Sequence, residues 1–289
     1  MINFHKFGFL DVRKLSKLFE EENYWLCRYN PIWLFIWSDL YKPEISFQND
    51  ACYIRFLMPE LGMCYFPPLA AKNLPRAMKE IEKDCYENGF ELNIGPVDEK
   101  TYHQLIKYGY KLYENNELNS YIYLSDDLTY YKNNKNKKNL CAKFEKSNKD
   151  VFYKKIKKED FPEILEFINK WQESLNNNQY KTDSYFSKLN MIKKCIDHLY
   201  EFDMLAILVK NEEKVFGLAI GSQMNNTICL HTIITLPDIV GAYEVTLSCF
   251  AKLSYTMTRY LNLEECYNDK NVEDIKPYKI EKYYSSYRL

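Results

Sequence analysis

Between Val215 and Glu265 the chain spells strand, tight turn, strand, loop, helix and strand, and the rest of the sequence has to be built around that run. Val215, Gly217, Ala219 and Gly221 alternate with Phe216, Leu218 and Ile220, the period of two that sends side chains to opposite faces of a strand. Asn225 and Asn226 tolerate the positive φ of a two-residue turn, so VFGLAIGSQ is predicted to pair antiparallel with TICLHTIIT. Pro237 breaks the chain, a helix is predicted from Gly241 to Thr258, and RYLNLEE supplies the last strand. A helix that starts on small residues offers backbone N–H groups and the positive end of its dipole to a phosphate or pyrophosphate. Gly241 and Ala242 are therefore candidate cofactor-binding positions. Asp238 stands just before that helix as a candidate cap, with a negative charge where the phosphates would go.

The flanking elements follow one order twice. In the first half a short strand at Phe4 to Phe9 precedes a helix capped by Asp11, and Asn30-Pro31 starts a second helix through WLFIWSDLY. Strands near Glu44 to Gln48, Cys52 to Met58 and Met63 to Phe66 lead to a helix from Leu74 to Asn88, closed by Gly89. A strand at Glu91 to Ile94, a helix at Glu99 to Lys107 and strands near Lys111 and Tyr121 follow. The second half reads strand (Val151 to Ile156), two helices (Phe161 to Leu175, Tyr185 to Tyr200), three strands from Met204 to Thr235, then a helix. A strand at Tyr260 to Leu263 and a tyrosine-rich terminal strand close it. This order predicts an α+β fold in which each half is a mixed, mostly antiparallel sheet flanked by helices. The predicted division is 1–125, a basic connecting segment 126–150, and 151–289 carrying the site.

A chain of 289 residues with 46% hydrophobic content has enough apolar surface for two cores, and its formal charge of -1 excludes a generally basic nucleic-acid coat. Positive charge is concentrated between Lys132 and Asp150, where seven lysines face two acids. Such a segment is either a solvated helix or linker, or a set of point charges for the phosphates of RNA, coenzyme A or a lipid head group. Nothing in the sequence points to DNA. Nine cysteines, with no C-x-x-C pair and no apolar leader at the start, predict free thiols in a reducing cytoplasm. The apolar run Ile32 to Trp37 is too short to span a bilayer, so no transmembrane segment is expected and any membrane contact would be peripheral.

Several stretches taken together resemble a known family: NPIWLFIWSDLY, YFPPLA, YIYLSDDL, KKNLCAKF, EILEFINKW, Leu230-His231, Gly241 to Tyr243, and YLNLEE at Tyr260 to Glu265. The chain is similar to uncharacterised bacterial acetyltransferase-like proteins related to the C-terminal domain of phosphatidylglycerol lysyltransferase, built from two tandem Gcn5-related N-acetyltransferase (GNAT) folds. The resemblance implies a second-half site that moves an acyl or aminoacyl group from acyl-coenzyme A or aminoacyl-tRNA to an amine or hydroxyl, on a lipid or a small amine. It implies no tightly bound cofactor. By position Gly241, Ala242 and Tyr243 match the family's donor loop, Lys138, Asn139, Lys143 and Phe144 its basic signature, and Glu264 and Glu265 its acidic pair. The chain departs from the pattern at Ile233, Leu247 and Leu263, apolar where the family is polar, at Cys266-Tyr267-Asn268, and in a shortened segment ending at Tyr278. Those departures keep a second expectation open, a catalytically degenerate tandem fold that binds a ligand without chemistry.

Transfer to an amine or hydroxyl needs a base for the acceptor, a donor for the oxyanion and an acid for the leaving group. Glu264 and Glu265 are candidate bases at a strand end, Tyr243 and Tyr278 candidate acids, and His231 a candidate substrate-orienting group. Among 26 tyrosines a single catalytic one is not singled out by sequence, and a lone strand histidine is as readily a hydrogen-bonded core group. Cys195 and His198 lie one helical turn apart and read as helix packing. No metal-ligand spacing, Walker loop, G-x-S-x-G or G-x-G-x-x-G is present.

Overall fold

A computed structural model describes residues 2–20, 22, 24–59, 61–176, 183–266, 269–272 and 274–288. The chain forms two compact units, one of 1–120 with 280–289, the other of 121–279. Both mix helices with mixed sheets, as the α+β reading requires. The terminal tyrosine-rich segment belongs to the first unit, which corrects its assignment to the second half.

The first unit begins with β1 (His5–Lys6), α1 (Phe9–Glu20), α2 (Pro31–Ile36) and α3 (Ser38–Tyr41), then β2 (Glu44–Gln48), β3 (Ala51–Met58) and β4 (Gly62–Tyr65). It continues with α4 (Leu74–Asn88), β5 (Asn93–Ile94), α5 (Glu99–Lys107) and β6 (Tyr113–Glu114). Asp11 is not the cap of α1: it lies inside the first turn and accepts the Gly8 N–H at 2.9 Å. Asn30 does cap α2, accepting the Ile32 N–H at 2.9 Å with Pro31 at the first position, but the expected single helix breaks at Trp37. The sheet runs β1-β2-β3-β4-β5, antiparallel except for the parallel pair β4 and β5, which α4 connects. Gly89 closes α4 at φ 68°, a left-handed conformation that costs glycine little.

The second unit opens with β7 (Ser120–Leu124), α6 (Ser125–Tyr130), α7 (Lys135–Ser147), β8 (Phe152–Lys155), α8 (Phe161–Asn176) and α9 (Asp183–Asp197). Then come β9 (Leu205–Lys210), β10 (Val215–Met224), β11 (Thr227–Thr235), α10 (Ala242–Ser254), β12 (Tyr260–Asn262) and β13 (Lys279–Glu281). The last strand of the chain, β14 (Tyr284–Ser285), pairs with β6 in the first unit. The basic segment is thus helix α7 of the second unit, with Phe144 buried in that unit's core against Phe216 at 5.1 Å between ring centroids.

The second sheet runs β13-β7-β12-β11-β10-β9-β8. Met224 pairs with Thr227 across Asn225, whose φ is 52°, so the predicted two-residue hairpin is present. Strands β8 to β11 are antiparallel, and β12 joins β11 in parallel through α10. Two glycines of β10 let other groups come close. A methyl on Gly217 would sit 2.1 Å from Thr246 Oγ1 of α10, and one on Gly221 would sit 2.4 Å from the Cys229 carbonyl and 2.9 Å from the Phe250 ring.

Two irregularities shape the middle of this sheet. The β11–β12 register covers only Thr227 to Cys229 against Tyr260 to Asn262, whereas β11 stays paired with β10 as far as Thr235. Beyond Cys229 the two parallel strands therefore part. At that point β11 also carries a bulge: Ile220 faces Thr232 and Gly221 faces Leu230, so His231 is the extra residue. A bulge re-aims the side chain it carries.

Candidate active site

His231 is turned by the bulge toward the place where β11 and β12 separate. Its Nε2 lies 2.7 Å from Ser222 Oγ and its Nδ1 lies 2.6 Å from Glu264 Oε1. An ionised carboxylate only accepts, so Nδ1 carries a proton and donates it to Glu264. In the neutral ring Nε2 is then the acceptor for the Ser222 hydroxyl. The result is a continuous hydrogen-bonded chain, Ser222 to His231 to Glu264, drawn from β10, β11 and the residue after Leu263.

Glu264 is held in place by its own backbone. It adopts φ 59°, sparsely populated for a residue with a Cβ and worth on the order of 1–3 kcal/mol of strain. Its N–H donates to the side-chain oxygen of buried Asn262 at 2.7 Å, and its carbonyl accepts from the Tyr121 N–H at 3.0 Å. Ser222 and the His231 side chain are shut off from solvent, while the Glu264 side chain keeps 13% exposure. The carboxylate is thus the end of the chain that solvent reaches. Burial, and after it the charge of Glu264, pushes the Cys195 thiol of α9 up.

Tyr243 sits in the first turn of α10, half-buried against the core near Tyr123 and Cys266. Burial raises its phenol strongly, with Asp269, Cys266 and Glu244 adding to it, so at neutral pH the group keeps its proton. Glu265 is half-buried beside Glu264, and Glu264 supplies the carboxylate 2.6 Å from His231 Nδ1. Tyr278 is not part of this arrangement. The residue is 56% exposed and its ring lies 5.1 Å from that of Tyr260, tilted by 37°; Tyr260 starts β12, whereas Glu264 follows the other end of that strand.

The start of α10 is built differently from the sequence expectation. Asp238 is exposed and is not the cap; Gly241 occupies that position at φ 83° with no side-chain cap. A methyl on Gly241 would fall 2.3 Å from the Leu140 carbonyl and 3.0 Å from Phe144 Cβ, so α7 fills the space beside the glycine. Ala242 is buried. Buried Glu244, three residues on, answers the positive helix end and pairs with buried Lys137 of α7 at 3.0 Å. The Tyr131 hydroxyl donates to the Glu244 carbonyl at 2.7 Å. Lys138, Asn139 and Lys143 point away from this contact on the exposed face of α7.

The apolar departures also have places. Leu247 is fully buried in the core, while Ile233 and Leu263 are half-buried against it. Of Cys266-Tyr267-Asn268, only Cys266 is among the described residues; it lies 3.9 Å from the Tyr123 hydroxyl, with its thiol pushed up by burial to about 12. Among the described residues, no group of three or more His, Cys, Asp or Glu side chains could hold a metal, and no helix is long and apolar enough to cross a membrane. Sequence reasoning missed Ser222, Lys137 and Glu244. Counting back from the Asn225-Asn226 turn places Ser222 opposite Cys229, but only the bulge brings it to His231.

The fold and this hydrogen-bonded chain define an α+β protein with a carboxylate–imidazole pair where two parallel strands part. Residues 26–271 match the family described as phosphatidylglycerol lysyltransferase, C-terminal, and the chain belongs to that family. Comparison with curated protein sequences gives no match. Among solved structures, a conserved protein of unknown function from Bacteroides thetaiotaomicron superposes with a TM-score of 0.88 at 19% identity, over 99% of each chain. The C-terminal domain of a lysylphosphatidylglycerol synthetase candidate from Agrobacterium fabrum gives 0.64 at 10% identity, over 96% of this chain and 91% of that one. The L-PGS structure from Bacillus licheniformis gives 0.60 at 12% identity, over 94% and 90%. These likenesses speak for the fold.

Proposed function

We propose that the second unit transfers an acyl or aminoacyl group to a hydroxyl or amine, with Glu264 as the proton acceptor. The observation that carries this reading is the Ser222–His231–Glu264 chain at the parting of β11 and β12. The acceptor heteroatom attacks the donor's ester or thioester carbonyl, and its proton passes to Glu264. The carbon–oxygen or carbon–sulfur bond of the donor breaks, and the leaving atom takes up a proton. Tyr243, protonated at neutral pH, is the candidate donor on α10. His231 positions the carboxylate, and Ser222 fixes which imidazole nitrogen faces it.

Membership in the family supports aminoacyl transfer, and the covered start of α10 favours an aminoacyl-tRNA donor over coenzyme A, whose pyrophosphate would need that helix end. In this reading Lys138 and Lys143, exposed on α7, contact donor phosphates. Each unit has an antiparallel run followed by a parallel strand reached through one helix, which supports two tandem GNAT-like domains. The closed-off Ser222 and His231 favour one other reading, a degenerate fold that binds without chemistry.

The test is transfer of radiolabelled aminoacyl groups from a charged tRNA pool to phospholipid and small-amine acceptors, with acetyl-coenzyme A as the parallel donor. Glu264→Gln should reduce the rate about 100- to 10,000-fold, the usual contribution of a positioned base. Transfer that survives this change intact would remove Glu264 from the mechanism. Absence of transfer by the unmodified protein from every donor would support the binding reading.

A further inference from the structure

Strand β3 turns Ala51 and Tyr53 toward α4, and both join Ala77, Met78 and Ile81 in the core of the first unit. Tyr53 is fully buried, yet among the described residues its hydroxyl has no hydrogen-bond partner. Other buried tyrosines of that unit are satisfied: the Tyr29 hydroxyl donates to the Pro96 carbonyl at 2.9 Å and the Tyr65 hydroxyl to Asp84 at 2.7 Å. An unpaired buried hydroxyl is costly, and a ligand that bonds to it removes that cost. Tyr53 also forms part of the wall of a cavity of about 110 Å³ between the β2–β3 turn and the start of α4, with room for a small molecule.

The same wall carries the charges of Asp50, Lys72, Arg76 and Glu80. Lys72 and Asp50 pair with each other at 3.1 Å. That leaves Arg76 and Glu80, one turn apart on α4, and among the described residues neither makes an ion pair. The helix start itself has little to give an anion: the Arg76 N–H goes to Asn73 Oδ1 at 3.1 Å, the Ala77 N–H goes to the Asn73 carbonyl at 3.0 Å, and Pro75 has no N–H. A phosphate here would rely on Arg76 while facing the Glu80 carboxylate. Burial, and after it the charge of Glu80, raises the Tyr53 phenol against the pull of Arg76, so the hydroxyl keeps its proton. A cation, a carboxylate and a hydroxyl around one small cavity suit a ligand that carries both charges. We propose that this cavity binds a small zwitterion of the α-amino acid class, its carboxylate accepting from Arg76 and the Tyr53 hydroxyl and its ammonium donating to Glu80. The site lies in the first unit and does not depend on transfer by the second.

The test reads binding, through the backbone amide resonances of Asn73, Arg76 and Ala77 and through the melting temperature. The probes are glycine, L-alanine and L-serine, with acetate, ethylamine, glycylglycine and inorganic phosphate as comparisons. At least one amino acid should move those resonances saturably and raise the melting temperature. Acetate and ethylamine, each with one of the two charges, and glycylglycine, with its charges farther apart, should bind at least about tenfold more weakly. Arg76→Gln and Glu80→Gln should each weaken amino acid binding at least about tenfold, and Tyr53→Phe at least about threefold. Without ligand, Tyr53→Phe should melt at the temperature of the unmodified protein or higher, since it deletes only an unpaired hydroxyl. Glu264→Gln, which changes the second unit alone, should bind the amino acid as the unmodified protein does. No response to any amino acid overturns the inference, as does phosphate binding as tightly as the best amino acid. Equal binding by Arg76→Gln or Glu80→Gln overturns it too. A lowered melting temperature of ligand-free Tyr53→Phe would show the hydroxyl already partnered, and loss of binding in Glu264→Gln would move the ligand to the second unit; either result also removes this site.

Discussion

Lys137 and Glu244 each carry a charge into the interior of the second unit, and each is tolerable only because of the other. Lys137→Met leaves Glu244 buried without its partner and should cost about 3–5 kcal/mol. The double change Lys137→Met with Glu244→Leu should recover most of that loss, which a double-mutant cycle in urea would measure. Gly241→Ala forces a Cβ into the Leu140 carbonyl at an already left-handed φ and should cost at least about 1–3 kcal/mol, read as a lower denaturation midpoint. The thiols make a further prediction. Partial burial raises Cys141 to about 12 and Cys249 to about 11, and Cys27, Cys52 and Cys229 are buried outright. Alkylation by iodoacetamide at pH 8 should therefore be slow in the folded protein and complete in urea, and rapid labelling of several thiols in the folded protein would contradict these burial assignments.

At the scale of the element, the hairpin and its neighbours were open to reading from sequence. The alternation from Val215 to Gln223 and the Asn225-Asn226 turn fix β10 and β11, and Asn30-Pro31 and Gly89 fix a helix start and a helix end, because each is a local rule about φ or face. His231 and Glu264 were also candidates, yet their meeting was not legible. It depends on one unpaired residue in β11 and on the left-handed φ of Glu264, neither of which leaves a compositional trace. The same holds for α10. A glycine at a helix start reads as room for phosphate, whereas here it gives room to the backbone of α7, a packing choice set by a helix more than ninety residues earlier in the chain. The bulge makes its own prediction. Deleting Leu230 would restore an even register from Ile228 onward and turn His231 away from Ser222; loss of the low-field Nδ1–H proton signal in NMR, with the fold retained, would report it.

For the molecule as a whole, the first unit is completed by residues at the far end of the chain. Tyr283, Ser285 and Tyr287 are buried there, Ser285 accepts from the Asn115 side chain at 2.5 Å, and β14 completes the pair with β6. Removing 280–289 also takes most of the edge strand β13 but no residue of the second unit's core, so that core should still form while the first unit loses cooperative unfolding, visible as protease sensitivity concentrated in 1–120. Protection of both units in the truncated chain would show that these ten positions are dispensable.

That closure of the first unit by the chain's end also sets a timetable. A ribosome emits residues 1–120 long before the segment that completes their packing, so the first unit waits, with β6 unpaired and the places of Tyr283 and Tyr287 unfilled, while the second already has its core residues in hand. The part made first is therefore the part finished last, and the interval in between is when a chaperone would have most to hold.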